Sequence, residues 1–313
     1  MTVADQAGGG RGFRKRLADI FVQHGLFFFG RRTPFLVRLL KPFLVWSSFI
    51  FSRYLRRNLA ANAVFLLGPE ATSSEKAAFS RRVITRHFQF LQDFNRMQDW
   101  SQEDFLGLID SVSGTDHYDA ARAHGRGLIV VTAHMGSYEV GLAEIMNHES
   151  EVHVVYMPNE QEPFERLRSK FRKRVGAIEN DASQGLGLWF ELRDALDRNA
   201  VVVIQGDRVM PGQSGQFVPF CTGKLELPLG PVKLAAASGA AILPIFCLYS
   251  TPPRVRIEIG APIIVSADER PFDAAALHAL SASIESVVSK HPDQWLAAHS
   301  ALIQPADPGS CSL

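Results

Sequence analysis

Cysteine is scarce in this chain of 313 residues: Cys221, Cys247 and Cys311 are an odd number with no metal-type spacing. That pattern argues against a disulfide framework and favours a reducing compartment. Long hydrophobic runs are missing as well. The longest uncharged apolar stretch near the N-terminus, Pro42 to Ser52, is about half the roughly 20 residues a spanning helix needs. No small-residue cleavage site follows the basic N-terminal stretch, so no secretory signal is expected. Acidic residues are rare at one end only. Residues 1–60 hold eleven Arg or Lys against Asp5 and Asp19, a charge of +9, and the whole chain is only +1, so the remainder carries −8.

A basic segment can meet nucleic acid or anionic lipid, and the residues between the charges decide. Here they are FVQHGLFFFG, PFLVRLL and PFLVWSSFIF, large and apolar. No nucleic acid is expected. An interfacial, amphipathic attachment to an anionic membrane surface fits better, with packing of these aromatics on the rest of the protein as the alternative.

Hydrophobic residues make up 46%, enough for a substantial core. Helices are expected from Phe13 to about Ala61, broken near Gly30, at Pro34 and at Pro42, with another following Ser73–Ser74. Strand-like runs GLIVVTAH, EVHVVYMP, NAVVVIQGD, AAILPIFCLY and RVRIEIGAPIIV then alternate with helical stretches. That alternation predicts an α/β fold, a mixed but mostly parallel sheet covered by helices. The expected organisation is a basic, apolar helical extension over residues 1–60, which associates with membrane, then one α/β domain over 61–303. A flexible tail over 304–313 completes it, and the first ten residues read as a frayed end.

The chemistry-bearing residues gather where strands end, as is usual in α/β sheets. In TAHMGSYE, His134 follows a buried-strand pattern, Gly136 and Ser137 offer a turn and a helix cap, and Glu139 falls five residues on. A carboxylate near a histidine can hold one ring nitrogen protonated and leave the other as a base. Five residues along one continuous helix would point the two about 140° apart. The pair therefore requires His134 before the helix and Glu139 in its first turn. Asp207 ends the strand run NAVVVIQGD. Other chemistries lack their signatures: no GxSxG elbow, no GxxxxGK[ST] loop and no GxGxxG fingerprint is present. His117, His124, His148 and His153 have no paired ligand spacing, so no metal is expected. A base at His134 must then activate a hydroxyl of a substrate or water.

His134 to Glu139 matches the HxxxxE form of the HxxxxD/E motif of lysophospholipid acyltransferases. More closely, the chain resembles the bacterial lipid A late acyltransferases. The likeness includes the basic run RSKFRKRVG, the strand-end Asp207, QFVPFCTGKLELPLGPVKLAAASGAAILP, and HPDQW at residues 291 to 295, similar to a terminal PxQW element. It runs from the basic helices before residue 60 to Trp295. It implies His134 as general base with Glu139 as its partner. Arg172 is implied as the basic residue after the second strand, with Arg168 and Arg174 open alternatives. Asp207 is implied as the acidic strand-end residue, and Phe217, Pro219, Phe220 and Gly223 as a substrate-groove loop. Two departures stand out: LAAHS follows HPDQW in place of an aromatic and a basic tail, and GDRV replaces a DQD-like sequence.

The expected activity is O-acyl transfer, without a cofactor, from an acyl carrier protein or acyl-coenzyme A thioester to a hydroxyl of a membrane lipid or glycolipid. A lipid A-like acceptor is favoured. The expected location is the cytoplasmic face of a bacterial inner membrane, peripheral or shallowly inserted. A secondary-metabolite acceptor of the aryl polyene type, thioester hydrolysis and a catalytically idle lipid-binding protein remain alternatives.

Overall fold

The computed structural model describes residues 34–97, 99–158, 163–210, 212–265 and 274–304. Three helices come first: α1 (Pro34–Phe51), α2 (Arg53–Leu67) and α3 (Ser73–Met97). The break expected at Pro42 does not occur. That proline removes one backbone donor inside α1, and the helix stays continuous along α3, where Lys41 Nζ reaches Gln89 Oε1 at 2.7 Å. The chain breaks instead at Ser52, whose hydroxyl accepts from the Leu55 amide and caps α2. The cap of α3 is Thr72. Its hydroxyl accepts from the Glu75 amide, and the Glu75 carboxylate accepts from the Thr72 amide in return.

Val45, Leu59, Phe79, Val83 and Phe88 bury one core between these three helices. The residue-60 position expected to divide the chain falls inside α2. This helix is tied to the far end of the chain: Asn62 donates to the carbonyls of Ala297 and His299 and accepts from the Ala301 amide. Of the expected ends, residues 1–10 and all of 304–313 except Gln304 lie outside the described residues, as do residues 1–33 of the basic segment.

The five apolar runs form the centre of a seven-stranded sheet. Its strands are β1 (Ile109–Ser113), β2 (Leu128–Thr132), β3 (Val152–Tyr156), β4 (Ile178–Asp181) and β5 (Val201–Gln205), then β8 (Ala241–Tyr249) and β9 (Val255–Ile259). The order is β1-β9-β8-β2-β5-β3-β4. Neighbours run parallel except β8 and β9, so the sheet is mixed and mostly parallel as expected. The edge strands β1 and β4 are short and half-polar, which is why no apolar run announced them.

Side chains alternate across the sheet. Leu128, Val130, Val201 and Val203 face α4 (Gln102–Leu106), α5 (Thr115–Ala123), α6 (Tyr138–His148) and α7 (Pro163–Arg174). Ile129, Val131, Val202 and Ile204 face α8 (Leu186–Asp197), α9 (Gly230–Ser238) and α10 (Ala274–Val288). On this second side the hairpin of β6 (Gly215–Phe220) and β7 (Gly223–Pro228) forms a small antiparallel sheet with β10 (Leu302–Ile303).

Candidate active site

β2 and β5 are adjacent and parallel, with Thr132 opposite Gln205 at their carboxyl ends. The Gly206 amide donates to the Thr132 carbonyl at 2.8 Å and extends the pairing by one residue. The next residue on one strand and the next but one on the other are Asp207 and His134. Nδ1 of His134 lies 2.7 Å from Asp207 Oδ1. The other carboxylate oxygen, Oδ2, accepts from the His134 amide at 3.1 Å and from Trp295 Nε1 at 2.8 Å. Burial alone would push the Asp207 carboxyl up. The facing His134 and these donors outweigh it and hold the group far below the usual carboxylate range. An ionised Asp207 fixes the ring proton on Nδ1, leaving the Nε2 lone pair to accept a proton.

The loop that carries His134 is strapped from behind. Met135 forms an isolated bridge with Trp295, the Leu296 amide donates to the His134 carbonyl at 2.8 Å, and the Gly136 amide donates to the Gln294 carbonyl. The Gln294 side chain accepts from the Tyr249 amide and donates to the Tyr249 carbonyl. Gly136 sits at φ +53°, where a Cβ would fall 2.0 Å from the Cys247 carbonyl oxygen, so only glycine fits this close approach. Ser137 is the N-cap of α6 by position, but its hydroxyl makes no cap bond.

His134 lines a cavity of about 160 Å³ between the sheet and helices α6 and α7. Its walls are mostly apolar, with Val130, Val154 and Val203 from the sheet and Leu142, Ile145 and Phe171 from the helices. Its polar lining includes His134, Tyr138, Gln205, Arg208 and Gln213. Arg208 Nη2 is 3.5 Å from His134 Nε2. Cys247 also lines the cavity, but burial pushes its thiol up to about 12, so it offers no thiolate nucleophile. The arrangement can take a proton from a hydroxyl beside an apolar slot.

A model of the bacterial lipid A biosynthesis acyltransferases matches residues 33–302. The chain belongs to that family. It is an acyltransferase. A phosphatidylinositol mannoside acyltransferase of Mycobacterium tuberculosis (strain CDC 1551 / Oshkosh) is 27% identical over 273 residues, covering 83% of each chain. A protein of the same name from Mycolicibacterium smegmatis is 26% identical over 145 residues, 46% of this chain and 47% of its own.

Within this acyltransferase, the residues expected to act together are only partly brought together. Glu139 does lie in the first turn of α6, with His134 before the helix, yet it is not the partner of the ring. Among the described residues its carboxylate oxygens have no hydrogen-bond partner, and its counter-charge is Arg168, with Nε 3.6 Å from Oε1. Burial pushes Glu139 up to about 7 against the pull of Arg168. The reason for the exchange is topological: Asp207 arrives from the adjacent strand, while α6 turns Glu139 toward α7. Arg168 also lies over the Tyr138 ring, which meets the His134 ring edge-on at 6.1 Å.

Arg172 lines the cavity, but it is buried, paired with Glu165 and with Glu179 at 2.8 Å, and stacked 4.5 Å over Tyr156. Two carboxylates already neutralise it, so it is not a guanidinium waiting for a substrate anion. Arg174 is exposed and donates to the Trp100 carbonyl. The expected groove loop is the β6–β7 hairpin, and none of its named residues lines the cavity around His134. Phe217 is exposed, whereas Phe220 is fully buried with its ring 5.8 Å from that of Trp295. At Gly223 a Cβ would fall 2.6 Å from the Phe65 ring, so this glycine seats the hairpin against α2. The residues missed from sequence are Trp295, noted there only as part of a likeness, and Tyr138 and Arg208. The one signal available for Arg208 was its departure from the family pattern in GDRV.

Proposed function

We propose that this acyltransferase moves a fatty acyl group from a thioester donor, acyl carrier protein or coenzyme A, to a hydroxyl of a membrane glycolipid. The observation that carries the reading is the Trp295–Asp207–His134 relay ending at a mostly apolar cavity. Nε2 of His134 removes the hydroxyl proton as its oxygen attacks the thioester carbonyl, and ionised Asp207 stabilises the imidazolium that forms. The apolar walls suit the acyl chain near the thioester. A sugar-bearing lipid acceptor is supported by the family description, lipid A biosynthesis, and by relatives named for phosphatidylinositol mannoside. These two names differ, and hydroxyl-bearing glycolipid is the chemistry they share.

The membrane-facing element is α1. Phe35, Leu39, Phe43, Trp46 and Ile50 fall on one stripe and are all exposed, Phe35 by 77%. The opposite side of the helix, with Leu44, Val45 and Phe49, packs on the core with α3. No helix among the described residues is long and apolar enough to cross a membrane. Shallow insertion of this stripe, at the cytoplasmic face of a bacterial inner membrane, brings the site to its acceptor. The Arg53 and Arg57 side chains on adjoining α2 are exposed and suit an anionic surface.

The test is acyl transfer by the full chain and by His134→Ala. Palmitoyl carrier protein and palmitoyl-coenzyme A serve as donors, with lipid A precursor or phosphatidylinositol mannoside in mixed micelles as acceptors. Mass spectrometry should show one added acyl group on a glycolipid with the native chain and none with the variant. Free fatty acid as the main product in the presence of every acceptor would replace transfer by hydrolysis.

A further inference from the structure

We infer that Arg208 is a catalytic residue, its guanidinium donating hydrogen bonds to the oxygen of the attacked thioester carbonyl as that oxygen becomes an anion. This inference rests on the acyl-transfer reading above and deepens it. In the step concerned, the acceptor hydroxyl oxygen bonds to the thioester carbon and its proton passes to His134 Nε2. The carbonyl electron pair moves onto oxygen. Collapse of that tetrahedral species re-forms the carbonyl, breaks the carbon–sulfur bond and returns the proton to the leaving thiolate. The oxyanion needs preorganised donors within hydrogen-bond reach of the base.

The backbone amides of the loop that carries His134 are already engaged. The amides leading into α6 all donate to the protein: His134 to Asp207 Oδ2, Met135 to the Ala133 carbonyl, Gly136 to that of Gln294 and Ser137 to that of Cys247. Among the arginines that line the cavity, Arg172 pairs with Glu165 and Glu179, and Arg168 pairs with Glu139 and Glu165. Arg208 differs. Among the described residues no carboxylate forms an ion pair with it, and its buried Nε has no hydrogen-bond partner. Its Nη2 stands 3.5 Å from His134 Nε2, the atom that takes the proton. The neighbouring His299 is held below the usual histidine range by burial first and the Arg208 charge second, so it adds no second positive charge beside Arg208. A partly buried cation whose Nε is unpartnered among the described residues and whose Nη2 meets the base is therefore poised for an anion that forms only during reaction. Arg208 follows Asp207 directly, so one β5-end turn sets both sides of the histidine.

The experiment compares kcat and KM for the native full chain, Arg208→Ala, Arg208→Lys and His134→Ala with palmitoyl-coenzyme A and palmitoyl carrier protein. Hydrolysis of each donor by water is followed alongside transfer, since it passes through the same oxyanion. Arg208→Ala should lower kcat about 10²–10³-fold with KM changed little. Arg208→Lys, which keeps charge without the planar fork, should fall between them. Added guanidinium ion should restore part of the activity of Arg208→Ala, which a merely structural loss would not allow. An unchanged kcat in Arg208→Ala and Arg208→Lys, or a rise in KM alone, overturns the inference, the latter marking a substrate clamp. Full activity in Arg208→Ala with none in His134→Ala overturns this inference and leaves the acyl-transfer reading standing. Activity that survives His134→Ala, or turnover of neither donor by the native chain, overturns both.

Discussion

Asp207 keeps its charge in a position almost sealed from water, which costs several kcal/mol unless donors surround it. The His134 ring, the His134 amide and the Trp295 indole are those donors. Asp207→Asn would keep the shape but could donate to Nδ1, turning the Nε2 lone pair into an N–H. It should lower kcat by about 10²–10⁴-fold with little change in KM. That loss should exceed the loss from Glu139→Gln by at least about tenfold, and steady-state kinetics on the two variants would decide it. Glu139 makes a separate prediction about stability. Its folded value of about 7 lies above the ordinary carboxylate range, so between the two the native state binds more protons than the unfolded chain. Stability therefore falls as pH rises through that window. From about pH 5 to about pH 8 the native chain should lose on the order of 1–3 kcal/mol more than Glu139→Gln. Denaturant titrations at the two pH values measure this, and parallel curves would refute it.

The strap of residues 292–297 governs the site at the scale of elements. Trp295 joins three things: the bridge to Met135, the bond to Asp207 and the packing on Phe220 of the β6–β7 hairpin. Trp295→Phe retains a ring for the packing on Phe220 while removing the N–H together with part of the buried indole. A buried carboxylate that loses one donor costs about 1–3 kcal/mol, so the denaturation midpoint should drop accordingly. The Nδ1 bond stays, and measurable transfer should persist. At this scale the sequence was informative about the core and silent about the strap. The runs of β2, β5 and β8 are apolar because both faces of those strands are covered, and that makes them visible, while β9 shows as an alternation that buries Val255 and Ile257. HPDQW holds a short 3₁₀ turn whose side-chain partners lie from 35 to 207 positions earlier, and local pattern carries no trace of such contacts.

For the whole molecule the question is how a site opening beside a sheet meets a lipid. The outer stripe of α1 exposes rings that an isolated water-soluble domain would bury, and large contiguous exposed apolar surface marks an interaction site. Phe43→Glu with Trp46→Glu should shift the full chain from the floating to the soluble fraction in flotation with anionic vesicles. The acyl-thioester hydrolysis rate in detergent should remain. Unchanged flotation of the double variant would place membrane contact elsewhere, and a loss sensitive to salt only would assign it to the arginines.

The sequence by itself determined the layers, the strand that delivers His134 and the family-like chemistry, because alternation, strand ends and glycine turns are local patterns. It also placed Asp207 at a strand end. What only the tertiary structure decided is partnership. Strand order sets β5 beside β2, and this brings Asp207 to Nδ1 across 73 positions of chain while Glu139, five positions away, turns to Arg168. Arg172, basic and well placed by sequence, is claimed by carboxylates of its own helix and of β4. Arg208, which broke the expected pattern, is left beside the base. Proximity in the chain constrains where a residue can begin, but a charge takes the partner that best replaces water around it, and only packing settles which one that is.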